Sequence, residues 1–349
     1  MSTRAPPVPN QQTYHIITRD PEEHMRAIHF VYAGDPNGNS INSPFTITQN
    51  LFQELKSTGL HVHYYDWCHT GPLHPVGPDD IIIGHPNYPP NTATRRLFRS
   101  SATPHKFLIF PIHHGIPSIN LPFSDLVARA RHVFGIMGPY WYDTLEHSQL
   151  AAWKDKITRL DMAIDSTSYP YCKQKWNQRG HRVFTYIGCD RPEKGLKHLY
   201  EIFSRVPHTL HVYGNVDGAN PLHKLPNVKL NGYTITSAKF GQDLCNMTDA
   251  FINTSISDAN PTTLLEAGCW GLVVVCSPQS GYYGTTNPFL SLDIGNIQSC
   301  INQINYIQNA DEHLLRSQSI SQRTYIEVNL NWGYFRETIK HKLVELGAL

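Results

Sequence analysis

The chain has 349 residues, long enough for two domains with a core each. Its formal net charge is +1, charged residues make up only 16%, and Lys and Arg are not gathered in blocks, so charge gives no support to a nucleic-acid partner. The seven cysteines form no Cys-x-x-Cys pair and sit mostly in or beside apolar runs, as small buried thiols of a reducing compartment do. No apolar stretch approaches the roughly 20 residues that cross a bilayer. The expectation is a cytoplasmic protein.

In chain order, the Pro-rich start MSTRAPPVPNQQ reads as a disordered lead-in over 1–12. Short β-branched and aromatic runs follow at 26–33, 61–67, 80–86, 106–111, 132–137 and 156–162. Further runs lie at 182–188, 209–214, 250–254 and 272–276. Several are continuously apolar, the pattern of strands covered on both faces. Between them lie segments of helical period, with Ile47, Leu51, Phe52 and Leu55 on one face, then Leu196, Leu199, Ile202, Phe203 and Val206. Trp332, Phe335, Ile339 and Val344 give a last helix its apolar face. The alternation predicts two doubly wound α/β domains, at 13–166 and 182–330, joined by a linker at 167–181 and followed by a helix at 331–349. Such domains bind ligands outside the carboxyl ends of their strands, so a cleft between the two is where chemistry is expected.

The segment SISDANPTTLLEAGCWGLVVVCS (255–277) carries the strongest signal. It predicts a helix between two strands, with Asn260 as N-cap, Pro261 at the first helical position and Gly271 as the stop. The N–H groups of Thr262, Thr263 and Leu264 then form a helix start suited to phosphate. Asp258 in the loop and Glu266 on the helix flank that point. Like charge repels them from phosphate, but both suit the hydroxyls of sugar rings. From spacing alone, a solvated helix glutamate and a loop aspartate are an equally good reading.

The second half resembles the nucleotide-sugar domain of the retaining glycosyltransferases of family 4, which have the GT-B architecture. The family's Glu-x7-Glu motif is present as Asp258-x7-Glu266, followed by AGCWGLVVV. Upstream, YIGCDRPEKG (186–195) resembles the family's Gly-Arg strand end and its Lys-Gly five residues on, with Gly188, Lys194 and Gly195 in place. Cys189 stands where the family has arginine, and Arg191 is the nearest guanidinium. Weaker matches are MAID (162–165), HVYG (211–214), NGY (231–233) and Trp332.

The resemblance implies two Rossmann-like domains facing across a cleft, the last helix crossing back to the first domain. It implies that Glu266 accepts bonds from ribose hydroxyls, that Asp258 holds the donor sugar, and that amides around Thr262 and Thr263 bind the diphosphate. Lys194 would neutralise the leaving diphosphate, with Arg191 sharing that task. Tyr233 and the Gly214–Asn215 turn would border the base. In FPIHHG (110–115) a histidine would face the sugar, His114 by preference and His113 as alternate. The loop AGDPNGN (33–39), with Gly38, would lie near the diphosphate and acceptor; it is neither a Walker loop nor a GxGxxG fingerprint.

The activity implied is transfer of a sugar from a nucleoside diphosphate to a hydroxyl of a glycan or lipid-linked glycan, with retention of configuration. No cofactor and no metal are expected, since no Asp-x-Asp pair is present. The group His61, His63, Cys68 and His69 lacks the spacing of a known zinc site and reads as a histidine-rich strand. A nucleotide-sugar 2-epimerase of the same architecture and a non-catalytic nucleotide-sugar binder are the alternatives. No transmembrane segment is expected, and peripheral membrane association is compatible with a lipid-linked acceptor.

Overall fold

The computed structural model describes residues 25–38, 43–234, 236–283 and 287–349. The expected lead-in over 1–12 and the first residues assigned to the N-terminal domain lie outside these, as does part of the 33–39 loop.

The first half runs β1 (Ala27–Tyr32), α1 (Phe45–Ser57), β2 (His61–Asp66), β3 (Ile81–Gly84), α2 (Ala93–Ser100) and β4 (Lys106–Pro111). It continues with α3 (Pro117–Asn120), α4 (Ser124–Arg129), β5 (His132–Ile136), α5 (Gly138–Asp143) and β6 (Ile157–Leu160). Among the described residues these strands form a parallel sheet of order β2-β1-β3-β4-β5-β6.

The second half runs β7 (Phe184–Ile187), α6 (Leu196–Phe203), β8 (Leu210–Tyr213), β9 (Val228–Leu230), α7 (Ala238–Met247) and β10 (Ala250–Asn253). Then come α8 (Thr262–Trp270), β11 (Val273–Cys276), β12 (Leu290–Ser291), α9 (Ile297–Asn309), α10 (Glu312–Asn329) and α11 (Trp332–Glu345). Its parallel sheet has the order β12-β11-β10-β7-β8-β9. This is the expected α/β class: two doubly wound sheets.

The apolar runs are strands because helices cover both faces. Ile81, Ile82 and Ile83 of β3 and the three valines of β11 are essentially inaccessible. At the sheet edge, β2 (HVHYYD) is only half covered, and its histidines lie there. One apolar cluster runs unbroken from Phe30 and Phe107 under the first sheet, through Met162 and Tyr169, to Trp270 and Phe335. The two halves therefore share a core on the side of the crossing segments.

That core changes the character of 167–181. Tyr169 and Trp176 are buried, and the Lys173 side chain is enclosed. Its Nζ lies 3.0 Å from Asp249 Oδ1 and donates to the carbonyls of Cys245 and Thr248 at 2.9 and 2.7 Å. The segment expected as a linker is thus fastened to α7 and the loop that follows it in the second half. In the same manner α11 crosses to the first half, where Lys340 and Arg336 lie 3.3 and 3.7 Å from Glu54 of α1. Leu343, rather than the expected Val344, completes its buried face; Val344 is exposed. No helix among the described residues is long and apolar enough to cross a membrane.

Candidate active site

The carboxyl ends of the central strands β7 and β10 bring the two motifs together. From β7 the chain passes Gly188 and Cys189 and reaches Lys194 just before α6. From β10 it passes Asp258 and enters α8. Between them lies a cavity of about 360 Å³, lined by Tyr186, Gly188, Lys194, Asp258, Thr262 and Thr263, and across the cleft by His113.

The start of α8 differs in detail from expectation. Pro261 occupies the cap position, with no side-chain cap. Asn260 is turned into the left-handed region (φ 57), and its Oδ1 accepts from the N–H of Met162 at 3.2 Å in the other half. Asn260 is therefore a clamp between halves and not a cap. Leu264 N–H is engaged with the Pro261 carbonyl at 3.3 Å. Thr262 and Thr263 N–H, in the first turn, have no carbonyl four residues back within the helix, and both residues line the cavity. Gly271 (φ 97) ends the helix as expected.

Lys194 Nζ and Asp258 Oδ2 are 2.5 Å apart. Ser255 Oγ donates to the same oxygen at 3.4 Å. Burial alone would lower the Lys194 pKa, but the Asp258 carboxylate outweighs it and the net shift is upward, so the ammonium stays charged. The Asp258 backbone is held by the other half: Trp141 Nε1 donates to its carbonyl at 2.7 Å.

Glu266 is 4% exposed, which excludes the solvated reading. Its Oε2 has no hydrogen-bond partner. Burial pushes its carboxyl up to about 7, while the hydroxyls of Thr236 and Tyr169 beside it pull the other way. It faces a second chamber of about 460 Å³, which shares Thr262 with the first and is bounded by Gln49, Tyr169 and Trp332.

The two histidines exchange places relative to expectation. His113 lines the cavity, with its Nδ1 2.6 Å from Ser257 Oγ. His114 turns away: its Nε2 lies 2.9 Å from Thr144 Oγ1, and its ring packs edge-on against Trp141. Beyond Pro111 the strand has ended, so alternation no longer decides which side chain faces inward. Burial is the largest influence on His113 and lowers its pKa to about 4, so it is a neutral hydrogen-bonding group at neutral pH.

Three other expected residues are not drawn in. Arg191 is 69% exposed, 3.9 Å from Glu193, and lines a groove outside the cavity. Tyr233 is 70% exposed. Gly38 lies in an exposed turn, its N–H on the Asp35 carbonyl at 3.1 Å. At the sheet edge, His63 stacks on His74 with centroids 4.0 Å apart and on the edge of His61 at 4.4 Å. No group of three His, Cys, Asp or Glu among the described residues is arranged to hold an ion.

Trp141, Ser257 and Tyr186 escaped the sequence reading. The one available signal for Trp141 was GPYW (138–141) at the carboxyl end of a strand, a Gly-Pro turn followed by aromatics.

The family model for Glycosyl transferases group 1 matches residues 172–314, the segment that carries both motifs. No curated protein matches the chain. Among solved structures, sucrose-phosphate synthase from Thermosynechococcus elongatus superposes with a TM-score of 0.68 at 13% identity, covering 93% of this chain and 100% of that one. The α,α-trehalose 6-phosphate synthase from Burkholderia multivorans gives 0.69 at 9% identity, covering 93% and 98%. The catalytic domain of starch synthase IV from Arabidopsis thaliana, bound to ADP and acarbose, gives 0.64 at 11% identity, covering 92% and 99%. The chain thus has the GT-B fold of these glycosyltransferases, and its second half matches a glycosyltransferase family model.

Proposed function

We propose that the cleft transfers a glycosyl group from a nucleoside diphosphate-sugar to an acceptor hydroxyl, with retention of configuration and without a metal ion. The observation that carries this reading is the α8 amino terminus facing the Lys194–Asp258 pair, with the buried Glu266 carboxyl, its Oε2 unpartnered, one turn along. The diphosphate sits at the first-turn N–H groups of Thr262 and Thr263, where the helix end favours an anion. Glu266 accepts from ribose hydroxyls, and Asp258 from hydroxyls of the transferred sugar.

In the reaction the bond between the anomeric carbon and the phosphate oxygen breaks, and the acceptor oxygen bonds to that carbon on the same face. The acceptor's proton passes to the departing diphosphate oxygen. The ammonium of Lys194 has three donors; one serves Asp258, and the others neutralise the charge that builds on the leaving group. His113, its Nδ1 engaged with Ser257, presents Nε2 to the sugar from the first half. A glycan or lipid-linked glycan is the acceptor class, and the cytoplasm the compartment.

A thermal-shift screen over UDP-, GDP-, ADP- and dTDP-sugars tests the reading, because a ligand that binds only the native state raises the unfolding temperature. One of them should do so, and NMR of the product with an acceptor should show the donor's anomeric configuration kept. Absence of a shift with all four removes the reading.

A further inference from the structure

Resting on the diphosphate reading of the cavity, we infer that Tyr186 is a diphosphate-binding residue, its phenolic O–H donating to a phosphoryl oxygen beside Lys194. The ring is 1% exposed in the core beneath β7 and β8, yet the residue lines the cavity. Its hydroxyl is buried and has no hydrogen-bond partner. Leaving a buried hydroxyl unmade costs on the order of 1–3 kcal/mol, so such a group in a cavity wall awaits an acceptor. Gly188 keeps the path to it clear: a Cβ there would stand 2.6 Å from the Tyr186 hydroxyl.

The chemistry of the cavity says which acceptor fits. Lys194 is the one cation lining it among the described residues, and Arg191 faces outward. Cys189, at the end of the same strand, offers no charge. Beyond the Thr262 and Thr263 N–H groups, a diphosphate there meets only one ammonium, already shared with Asp258, and has phosphoryl oxygens left to take a further donor. Burial, then Asp258, Cys189, Asp190 and Glu193, hold the phenol protonated, so it keeps a proton to donate. A phosphoryl oxygen is an acceptor only, and the two are complementary.

The test is calorimetry of wild-type protein and Tyr186→Phe with inorganic pyrophosphate and with UDP, GDP, ADP and dTDP, beside thermal unfolding. Tyr186→Phe should weaken pyrophosphate and nucleoside diphosphate about tenfold or more, the worth of a hydrogen bond to a charged acceptor. It should leave the unfolding temperature unchanged or raise it, which a purely structural tyrosine would not do. Adding Cys189→Arg to Tyr186→Phe should restore binding by supplying the missing donors. Independently of any variant, a wild-type crystal with pyrophosphate should place the phenol within hydrogen-bond distance of a phosphoryl oxygen. Equal binding by wild type and Tyr186→Phe overturns the inference and leaves the diphosphate reading standing. A wild type that binds neither pyrophosphate nor any of the diphosphates overturns both.

Discussion

At the scale of single residues, each proposed role predicts a different loss. Lys194→Ala should lower kcat by about a hundredfold or more, beyond its loss of donor affinity, because the ammonium acts most strongly on charge that appears in the transition state. His113→Ala should slow transfer, whereas His114→Ala should not, since only His113 lines the cavity; steady-state kinetics of the pair decides. Glu266 joins function to stability. Its carboxyl titrates at about 7 when folded, raised by burial. The stabilisation this represents is full below the ordinary carboxylate pKa and is lost as pH rises through about 7. Above that, the buried charge costs on the order of 3 kcal/mol. Glu266→Gln should therefore weaken the donor yet resist urea better than wild type at mildly alkaline pH, with little difference at acidic pH.

At the scale of elements, what could be read in advance followed from locality. Lys194, Asp258 and Glu266 were legible because each sits within a few residues of a strand end or helix start with a recognisable pattern. Most of the ten strand runs were legible because burial on both faces leaves a continuous apolar signature, and the half-covered β2 because its aromatic and β-branched residues mark a strand. The three-residue β9 and the two-residue β12 are too short to leave such a signature. The cap of α8 was misread because Asn260 has a distant partner, Met162, which outcompetes the local N–H groups. The 167–181 segment reads as polar and loop-like, and only its contacts with α7 and the loop after it reveal a lock. Lys173→Ala should cost roughly 3–5 kcal/mol in denaturant unfolding, since it removes the counter-charge of a buried Asp249 and leaves it only the hydrogen bonds from Asn177 and the Val183 N–H. A small cost would mean that solvent reaches that carboxylate.

At the scale of the whole molecule, the two halves meet directly around the site. Trp141 and Asp258 are 117 positions apart in sequence, and Met162 and Asn260 98 apart, so no local pattern could announce either contact. Gly138 (φ 70) lies at this seam, where a Cβ would stand 2.4 Å from Asn260 Nδ2 and 2.5 Å from the Gly281 carbonyl. Gly138→Ala should push the halves apart, widen the particle in small-angle scattering and cut turnover roughly a hundredfold through misplacement of His113 against Lys194. The central claim is that α8, Lys194 and Glu266 together hold a nucleoside diphosphate. A crystal structure with the donor picked out by the thermal-shift screen tests it most directly. The account predicts phosphoryl oxygens on the Thr262 and Thr263 N–H groups and on Lys194, with ribose on Glu266. A nucleotide bound elsewhere, with the Lys194–Asp258 pair undisturbed and the cavity vacant, would contradict it.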